Sequence, residues 1–309
     1  MEKAIVTGAT GYIGSAVVRK LLSEGVEVLA LGRKKWEQIN PKRLKKSKNL
    51  RYLTINFSEI SLLYEKLNHI NWVPGLSCVF YNFLWSGDGR LTDGTYEDQF
   101  NNVTLAAKFV EEAKNLGCVK FINAGSQEEK YVKDYLKYEW TSKNYHSSMA
   151  TYAVAKLASR NMCQLIAYLN KIIYVHTRIS GVIDKDLSAE GYIASTMRKI
   201  MNGEKYDYPE NPKIIDLTPI DEVAKAYYLI GQRGKNKGNY FIGTGDPKTL
   251  AQYFLQFKLT IANEKNAIES TLSHEKDFSF KHFSIEHLNR DTSFKPDVTF
   301  LEFAKSLVS

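Results

Sequence analysis

Lys3-Ala-Ile-Val-Thr-Gly-Ala-Thr-Gly-Tyr-Ile-Gly14 stands near the head of the chain, and its reading decides the fold. Ala4, Ile5 and Val6 make the continuous apolar run of a strand buried on both faces. Gly8, Gly11 and Gly14 follow at G-x-x-G-x-x-G spacing. Ser15 to Leu22 then reads as an amphipathic helix with Ile13, Val17, Val18, Leu21 and Leu22 on its buried side. Gly25 closes that helix, and Val26 to Leu31 is the next parallel strand. Strand, glycine turn, helix, strand is a βαβ unit. Its glycines let the backbone turn tightly and approach a pyrophosphate at a helix N-terminus, where free N–H groups and the helix dipole favour an anion. A glycine triplet alone is a weak signal, and its place between a strand and a helix makes this one a dinucleotide loop.

The second strand bears on which dinucleotide. An acidic residue about 20 positions beyond the first glycine normally holds the ribose hydroxyls of NAD. Here Gly32, Arg33, Lys34 and Lys35 occupy that point, with no Asp or Glu until Glu37. A 2′-phosphate needs cations there, and Arg offers bidentate geometry. Arg33 and Lys34 therefore favour NADP, with NAD as the alternative. The plainer reading is a solvated basic loop, since Lys42, Arg43, Lys45, Lys46 and Lys48 continue the run.

The 309 residues suffice for one large domain or two intimate ones. With 44% hydrophobic and 25% charged residues the chain is globular and not disordered. The net charge of +8 raises the question of nucleic acid. The cations, however, concentrate in the segment after the second strand without interleaved aromatics, and a phosphate-rich cofactor or substrate accounts for them equally well. No nucleic-acid partner is expected. Cys78, Cys118 and Cys163 are odd in number and scattered, as reduced core thiols of a cytoplasmic protein would be. Met1 leads straight into a strand and no apolar run reaches membrane-spanning length, so neither an export signal nor a membrane association is expected.

Downstream, Leu50 to Phe57 reads as a third strand and Ser58 to Ile70 as a helix with Ser58 as its N-cap. Cys78 to Leu84 is a fourth strand running into Trp85-Ser-Gly-Asp-Gly, a loop at a strand's carboxyl end, where ligands sit in open parallel sheets. Thr95 to Leu116 is a long helix, and Val119 to Ala124 a fifth strand ending at Gly125-Ser126-Gln127-Glu128. Strands alternating with helices at this rhythm make a doubly wound parallel sheet, an α/β fold.

Tyr152-Ala-Val-Ala-Lys156 is the second informative stretch. On a helix these two side chains share a face one turn apart. A nearby cation lowers a phenol's pKa from about 10 and suits it to exchange a proton with a carbonyl or alcohol. A serine at a neighbouring strand end can hydrogen-bond the same oxygen and stabilise developing charge. Tyr-x-x-x-Lys is common on helix faces, and it gains force from its place after a dinucleotide loop and Ser126.

With these residues in place, the chain resembles an extended short-chain dehydrogenase/reductase, the family of NAD-dependent nucleotide-sugar epimerases, dehydratases and ketoreductases. Thr7-Gly-Ala-Thr-Gly-Tyr-Ile-Gly14 is close to that family's opening motif, Thr10 included. Tyr152 and Lys156 match its Tyr and Lys, Ser126 its Ser/Thr, and Asn102 an asparagine of the long helix. Asp216-Leu-Thr-Pro-Ile-Asp-Glu-Val-Ala224, Tyr240-Phe-Ile-Gly-Thr-Gly245 and Phe294-Lys-Pro-Asp-Val-Thr-Phe-Leu-Glu302 are similar to later family segments, so the resemblance spans nearly the whole chain. It implies a Rossmann sheet with a smaller, mostly C-terminal α/β substrate domain. The implied division is residues 1–180 and 214–257 for the dinucleotide and 181–213 and 258–309 for the substrate. It further implies Tyr152 as proton donor or acceptor, Lys156 lowering its pKa and holding the nicotinamide ribose, and Ser126 orienting the substrate oxygen. Tyr12, Ile13, Asn56, Phe57, Phe83 and Leu84 would surround the cofactor, and Trp85, Ser126 and Gln127 would meet the substrate.

Three departures narrow the branch. Dehydratases carry Thr-Asp-Glu, and the run here is Ser126-Gln127-Glu128, without the Asp acid. Gly-Ser-Gln, together with Phe80-Tyr-Asn-Phe-Leu-Trp-Ser-Gly87, resembles the subset that includes reductases of 4-keto-deoxy sugars on nucleotide carriers, although Glu128-Glu129-Lys130-Tyr131 replaces that subset's usual continuation. Epimerases of the galactose type have an Asn where Gly181 stands. The expectation is NADPH-dependent reduction of the 4-keto group of a nucleotide-diphosphate-linked 6-deoxy sugar. An epimerase holding NAD and a non-catalytic dinucleotide-binding sensor are the alternatives.

For the substrate end, Arg198, Lys199 and Lys205 could hold a diphosphate or form a solvated face. His146 lies just ahead of Tyr152, while His69, His176, His274, His282 and His287 are scattered without ligand spacing, and no metal is expected. Phe109, Met162 and Leu165 exceed the apolar needs of one sheet contact. The family pairs these helices across a two-fold axis, so a homodimer is expected, with burial inside the monomer as the alternative.

Overall fold

Why the first strand is central follows from its sequence: Ala4, Ile5 and Val6 carry no polar atom and are fully buried, so both faces of the strand must be covered. A computed structural model describes residues 1–70, 72–85, 95–137, 150–209, 214–263 and 278–308. In chain order the first elements are β1 (Lys3–Thr7), α1 (Tyr12–Ser23), β2 (Glu27–Gly32), β3 (Leu50–Thr54), α2 (Leu63–His69), β4 (Val79–Asn82) and α3 (Tyr96–Asn115). There follow β5 (Lys120–Ala124), α4 (Val132–Tyr135), α5 (Ala150–Leu169), β6 (Ile173–Ile179), β7 (Gly181–Ile183), α6 (Tyr192–Met201), β8 (Ile214–Ile215) and β9 (Leu217–Pro219). The last are α7 (Ile220–Arg233), β10 (Gly238–Ile242), β11 (Lys248–Thr249), α8 (Leu250–Ile261), α9 (Glu286–Thr292) and α10 (Phe300–Lys305).

Seven strands form one sheet in the order β10-β6-β5-β4-β1-β2-β3, and β1–β2, β1–β4, β2–β3, β4–β5 and β5–β6 all pair in parallel. The expected Rossmann architecture is present. The chain fills one side of β1 and then returns to the other with β4, so the order reverses between β1 and β4, where ligands enter such sheets. On one face Phe80 and Phe121 stack at 5.4 Å, and Phe109 of α3 meets Phe57 edge-on at 5.7 Å. Phe109 is therefore a core residue of the monomer, which corrects its reading as a surplus apolar position. The ends of the central strands share a buried polar rung. Thr7 Oγ1 donates to Asn82 Oδ1 at 2.7 Å, Asn82 Nδ2 to Asn123 Oδ1 at 3.0 Å, and Asn123 Nδ2 to Ser159 Oγ at 3.2 Å.

Two local expectations change. The third strand stops at Thr54, and the following turn is capped by Asn56, whose side chain accepts from Ser58 N–H at 3.3 Å; Ser58 is not the cap. Cys78 and Cys118, remote in sequence, sit side by side as buried free thiols with sulfurs 3.6 Å apart, because they precede neighbouring strands β4 and β5.

The described residues divide into two compact units, Met1–Arg178 with Tyr227–Tyr240, and Ile179–Ala226 with Phe241–Ser309. Of the segment 214–257 assigned by sequence to the dinucleotide part, only Tyr227–Tyr240 falls in the first unit. The second unit has its own core, built on Met197, Leu217, Tyr253, Phe254, Phe257 and Phe300. Its buried Asp216 accepts from Thr218 Oγ1, from the N–H and hydroxyl of Thr244 and from Gly245 N–H, which ties β9 to the turn after β10.

Candidate active site

The glycine loop follows β1 directly. Gly8 adopts φ +63°, a left-handed conformation suited to glycine, and Gly11 N–H closes a tight turn onto Gly8 O at 2.9 Å. A Cβ on Gly8 would stand 2.9 Å from the Phe83 carbonyl, and one on Gly14 would collide with Gly8 O. Helix α1 begins at Tyr12 behind Gly11, with no side-chain cap and no acidic residue in its first turn. Neither a capping side chain nor a first-turn carboxylate competes there with an outside anion for the positive end of the helix dipole. Bare backbone and a helix dipole fit the diphosphate of a dinucleotide.

At the end of β2 the Lys34 carbonyl is fixed by Tyr52 Oη, which donates at 2.6 Å, and by Thr54 Oγ1 at 3.3 Å. The side chains of Arg33 and Lys34 are exposed and have no hydrogen-bond or ion-pair partner among the described residues. Thr10 lies against Gly32, whose missing Cβ would stand 3.3 Å from Thr10 Cγ2. Arg43, hidden by sequence in a run of lysines, stacks its guanidinium 4.9 Å from the ring centre of Tyr12. Arg19 of α1 anchors that segment by donating to the carbonyls of Arg43 at 2.9 Å and Lys42 at 3.3 Å. Ile13, half-buried, follows Tyr12 in the first turn. Phe57 turns its ring into the core, unlike its neighbour Asn56. Leu84 packs partly against the same core with its N–H on Asn82 Oδ1, while the Phe83 ring meets Tyr227 edge-on at 4.7 Å.

Helix α5 brings Tyr152 and Lys156 to one face, both buried. Lys156 Nζ lies 5.7 Å from the Tyr152 ring centre and 3.7 Å from that of Trp85, and it donates to Ala124 O at the end of β5 at 3.0 Å. Trp85 meets Tyr152 edge-on at 5.9 Å and donates from Nε1 to Gln99 of α3 at 2.9 Å. Two residues past Ala124, Ser126 caps a 3-10 turn, its Oγ accepting from Glu128 N–H at 3.2 Å. Asn102 is buried on α3 with its amide on Asp98 O at 2.9 Å. Burial pulls the Lys156 ammonium down to about 7, against the opposing pull of Glu129. The indole face favours the charged form as well. His146 and residues 86–89 of the loop after β4 lie outside the described residues.

Gln127 is held: its amide oxygen accepts from Arg178 Nη1 at 2.8 Å, and Arg178 Nε in turn reaches Asn239 Oδ1 at 3.1 Å. Sequence reasoning missed Arg178, and it missed Glu129 and His176. His176, read as one of several scattered histidines, presents Nε2 to both Glu129 carboxylate oxygens at 3.0 Å. No signal in the sequence joins a Glu after β5 to a His in the middle of β6; the parallel pairing of those strands brings them together. Among the described residues no group of three or more His, Cys, Asp or Glu could hold a metal ion, and no helix is long and apolar enough to cross a membrane.

Residues 4–243 match the model of the NAD dependent epimerase/dehydratase family. The chain is 23% identical over 250 residues to CDP-abequose synthase of Salmonella muenchen, covering 81% of this chain and 76% of that protein. UDP-glucose 4-epimerase of Thermotoga maritima, solved with UDP-glucose, has the same fold with a TM-score of 0.73 at 19% identity, over 99% of this chain and 97% of that one. The dTDP-glucose 4,6-dehydratase of Bacillus anthracis, solved with NAD, aligns with a TM-score of 0.72 at 15% identity, over 100% and 96% of the two chains. A glycine loop at the sheet's reversal point, a Tyr–Lys pair beside the end of β5 and a family match over most of its length agree: the chain belongs to the NAD dependent epimerase/dehydratase family.

Proposed function

We propose that the protein is a cytoplasmic oxidoreductase that uses NADPH to reduce the 4-keto group of a nucleotide-diphosphate-linked 6-deoxy sugar. The observation that carries this reading is the end of β2, where Arg33 and Lys34 are exposed without partners among the described residues and the sequence offers no carboxylate before Glu37. The name of the relative CDP-abequose synthase supports a nucleotide-linked sugar as substrate. Gly8, Gly11, Gly14 and the first N–H groups of α1 would hold the cofactor's diphosphate, and Arg33, Lys34 and Arg43 its 2′-phosphate. When bound, NADPH supplies the hydride.

The chain's own residues supply the rest. Ser126 donates a hydrogen bond to the ketone oxygen and orients it, as negative charge develops there during reduction. Tyr152 gives its phenolic proton to that oxygen, and Lys156 stabilises the phenolate left behind. Trp85, edge-on to Tyr152 and with its ring face to the Lys156 ammonium, favours the charged form of the amine. The exposed apolar side chains of α5, Met162, Leu165 and Tyr168, support a homodimer. The test is a panel: NADPH and NADH titrated separately, then oxidation followed with CDP-, dTDP-, GDP- and UDP-linked 4-keto-6-deoxy sugars. NADPH preference with ketone-dependent oxidation is expected. Preference for NADH would overturn the cofactor assignment, and protein purified with stoichiometric NAD would favour an epimerase.

A further inference from the structure

The Ser126 turn is built around a buried charge. Ser126 and Glu129 form a capping box: Glu129 Oε1 accepts from Ser126 N–H at 2.8 Å. The chain builds capping boxes again at Thr249/Gln252 and Thr299/Glu302, where the acceptor side chain is half-buried or exposed. The Glu129 side chain, by contrast, is fully buried, with Arg160 Nη1 3.9 Å from one oxygen and His176 Nε2 on both. A carboxylate taken out of water is costly unless it is paired. A turn cap alone does not require that burial. The space for it exists because residue 125 is glycine, since a Cβ there would collide with His176 Nε2 and Glu129 Oε1.

We propose that Glu129 and His176 are a positioning pair for this site, in which the buried Glu129 carboxylate fixes the Ser126 turn and sets a negative charge at the end of β5, where the Ala124 carbonyl holds Lys156. The proposal rests on the reading of Tyr152 and Lys156 as the proton-transfer pair. An ionised carboxylate only accepts, so the facing His176 nitrogen carries the proton. Nδ1 then faces the Tyr174 hydroxyl at 3.2 Å. Burial works against the Glu129 charge, yet His176, the Ser126 N–H and Arg160 together hold its carboxyl below the usual range. Burial keeps His176 below its ordinary value, hence neutral at pH 7.

Among the described residues the groups facing Lys156 are Tyr152 and Cys163 on its own helix, Trp85 after β4, the Ala124 carbonyl of β5, and Glu129. Among the described residues those facing Glu129 are His176, Tyr174 and Arg178 on β6, Arg160 and Lys156 on α5, and the adjacent Lys130. Among the described residues Glu129 is thus the carboxylate acting on Lys156.

Glu129→Gln keeps the acceptor for Ser126 N–H and removes the charge. Loss of a nearby negative charge lets both an ammonium and a phenol lose their protons more easily. The alkaline limb of the kcat profile for ketone reduction is therefore expected to move about one pH unit lower, with KM changed less than about twofold. A lowered kcat with an unmoved limb would overturn the proposal, since that is what a purely structural cap would give. A readout independent of activity is NMR titration of the Lys156 ε-carbon, expected to shift down by about the same amount in Glu129→Gln; identical titrations would overturn it. Should that variant not fold, the wild-type protein decides. Its Glu129 carboxyl carbon must report an ionised group at pH 7, and a protonated one would end the proposal. If no ketone is reduced by the wild type, the functional reading fails while these titrations still decide the pair.

Discussion

Arg43 holds its guanidinium over the ring of Tyr12, the first residue of the glycine-loop helix, at 4.9 Å from the ring centre. Stacking on an aromatic face and the Arg19 bonds to the carbonyls beneath it fix this one cation of a run whose other members face solvent. On the proposed NADPH reading it adds to Arg33 and Lys34 a third charge for the 2′-phosphate. Arg43→Ala is expected to raise the Kd for NADPH about tenfold or more, as loss of a charge-assisted bond worth about 1.5–3 kcal/mol implies. The Kd for NADH should change less than about twofold. Fluorescence titration checks both, and equal losses would mean that Arg43 merely supports the loop.

Gly125→Ala places a methyl group into the space of Glu129 and His176, which are themselves pinned. Overpacking of this kind costs about 1–3 kcal/mol, read as a lower urea midpoint at unchanged slope. An unaffected midpoint would show that the pair yields easily.

Lys120 Nζ donates to the carbonyls of Ile230 at 3.1 Å and Gly231 at 2.8 Å in the last turns of α7, and burial brings its pKa down to about 8. Because the folded value lies below the unfolded one, the cost of the buried charge is complete below about pH 8. It is relieved as pH rises toward the unfolded value of about 10.4. Lys120→Met leaves the two carbonyls without this partner, so about 1–3 kcal/mol of stability is lost at pH 7. The gap between wild type and variant should widen from pH 7 to about 9.5 in chemical denaturation. A gap independent of pH would contradict the depressed pKa.

Leu165 and Tyr168 are 53% and 73% exposed on α5, next to Met162 at 44%. If this face joins two copies, Leu165→Glu makes the protein monomeric in light scattering without lowering its melting temperature; an unchanged mass would place the dimer contact elsewhere.

The parts of this molecule legible in its sequence are those where backbone chemistry leaves little choice. Gly8 and Gly14 stand out in the sequence because the carbonyls of Phe83 and of Gly8 itself exclude a side chain at these two positions. Tyr152 and Lys156 are legible because helical spacing alone places them together. Glu129 and His176 are not, since strand pairing across β5 and β6 joins residues that no local period connects. Arg43 was hidden among identical charges, and the swap of Ser58 for Asn56 as a cap turned on a single side-chain bond. Phe109 looked like a spare apolar residue because periodicity counts apolar positions on a helix and says nothing of how deep the core beside them is.

The central claim is that Tyr152 delivers the proton in a ketone reduction, and single-turnover oxidation of NADPH in the presence of a nucleotide-linked 4-keto-6-deoxy sugar tests it most directly. The wild type should consume NADPH only when the ketone is present. Tyr152→Phe should bind NADPH unchanged and react about 10²–10⁴-fold more slowly. A Phe variant that reacts at the wild-type rate would contradict the account.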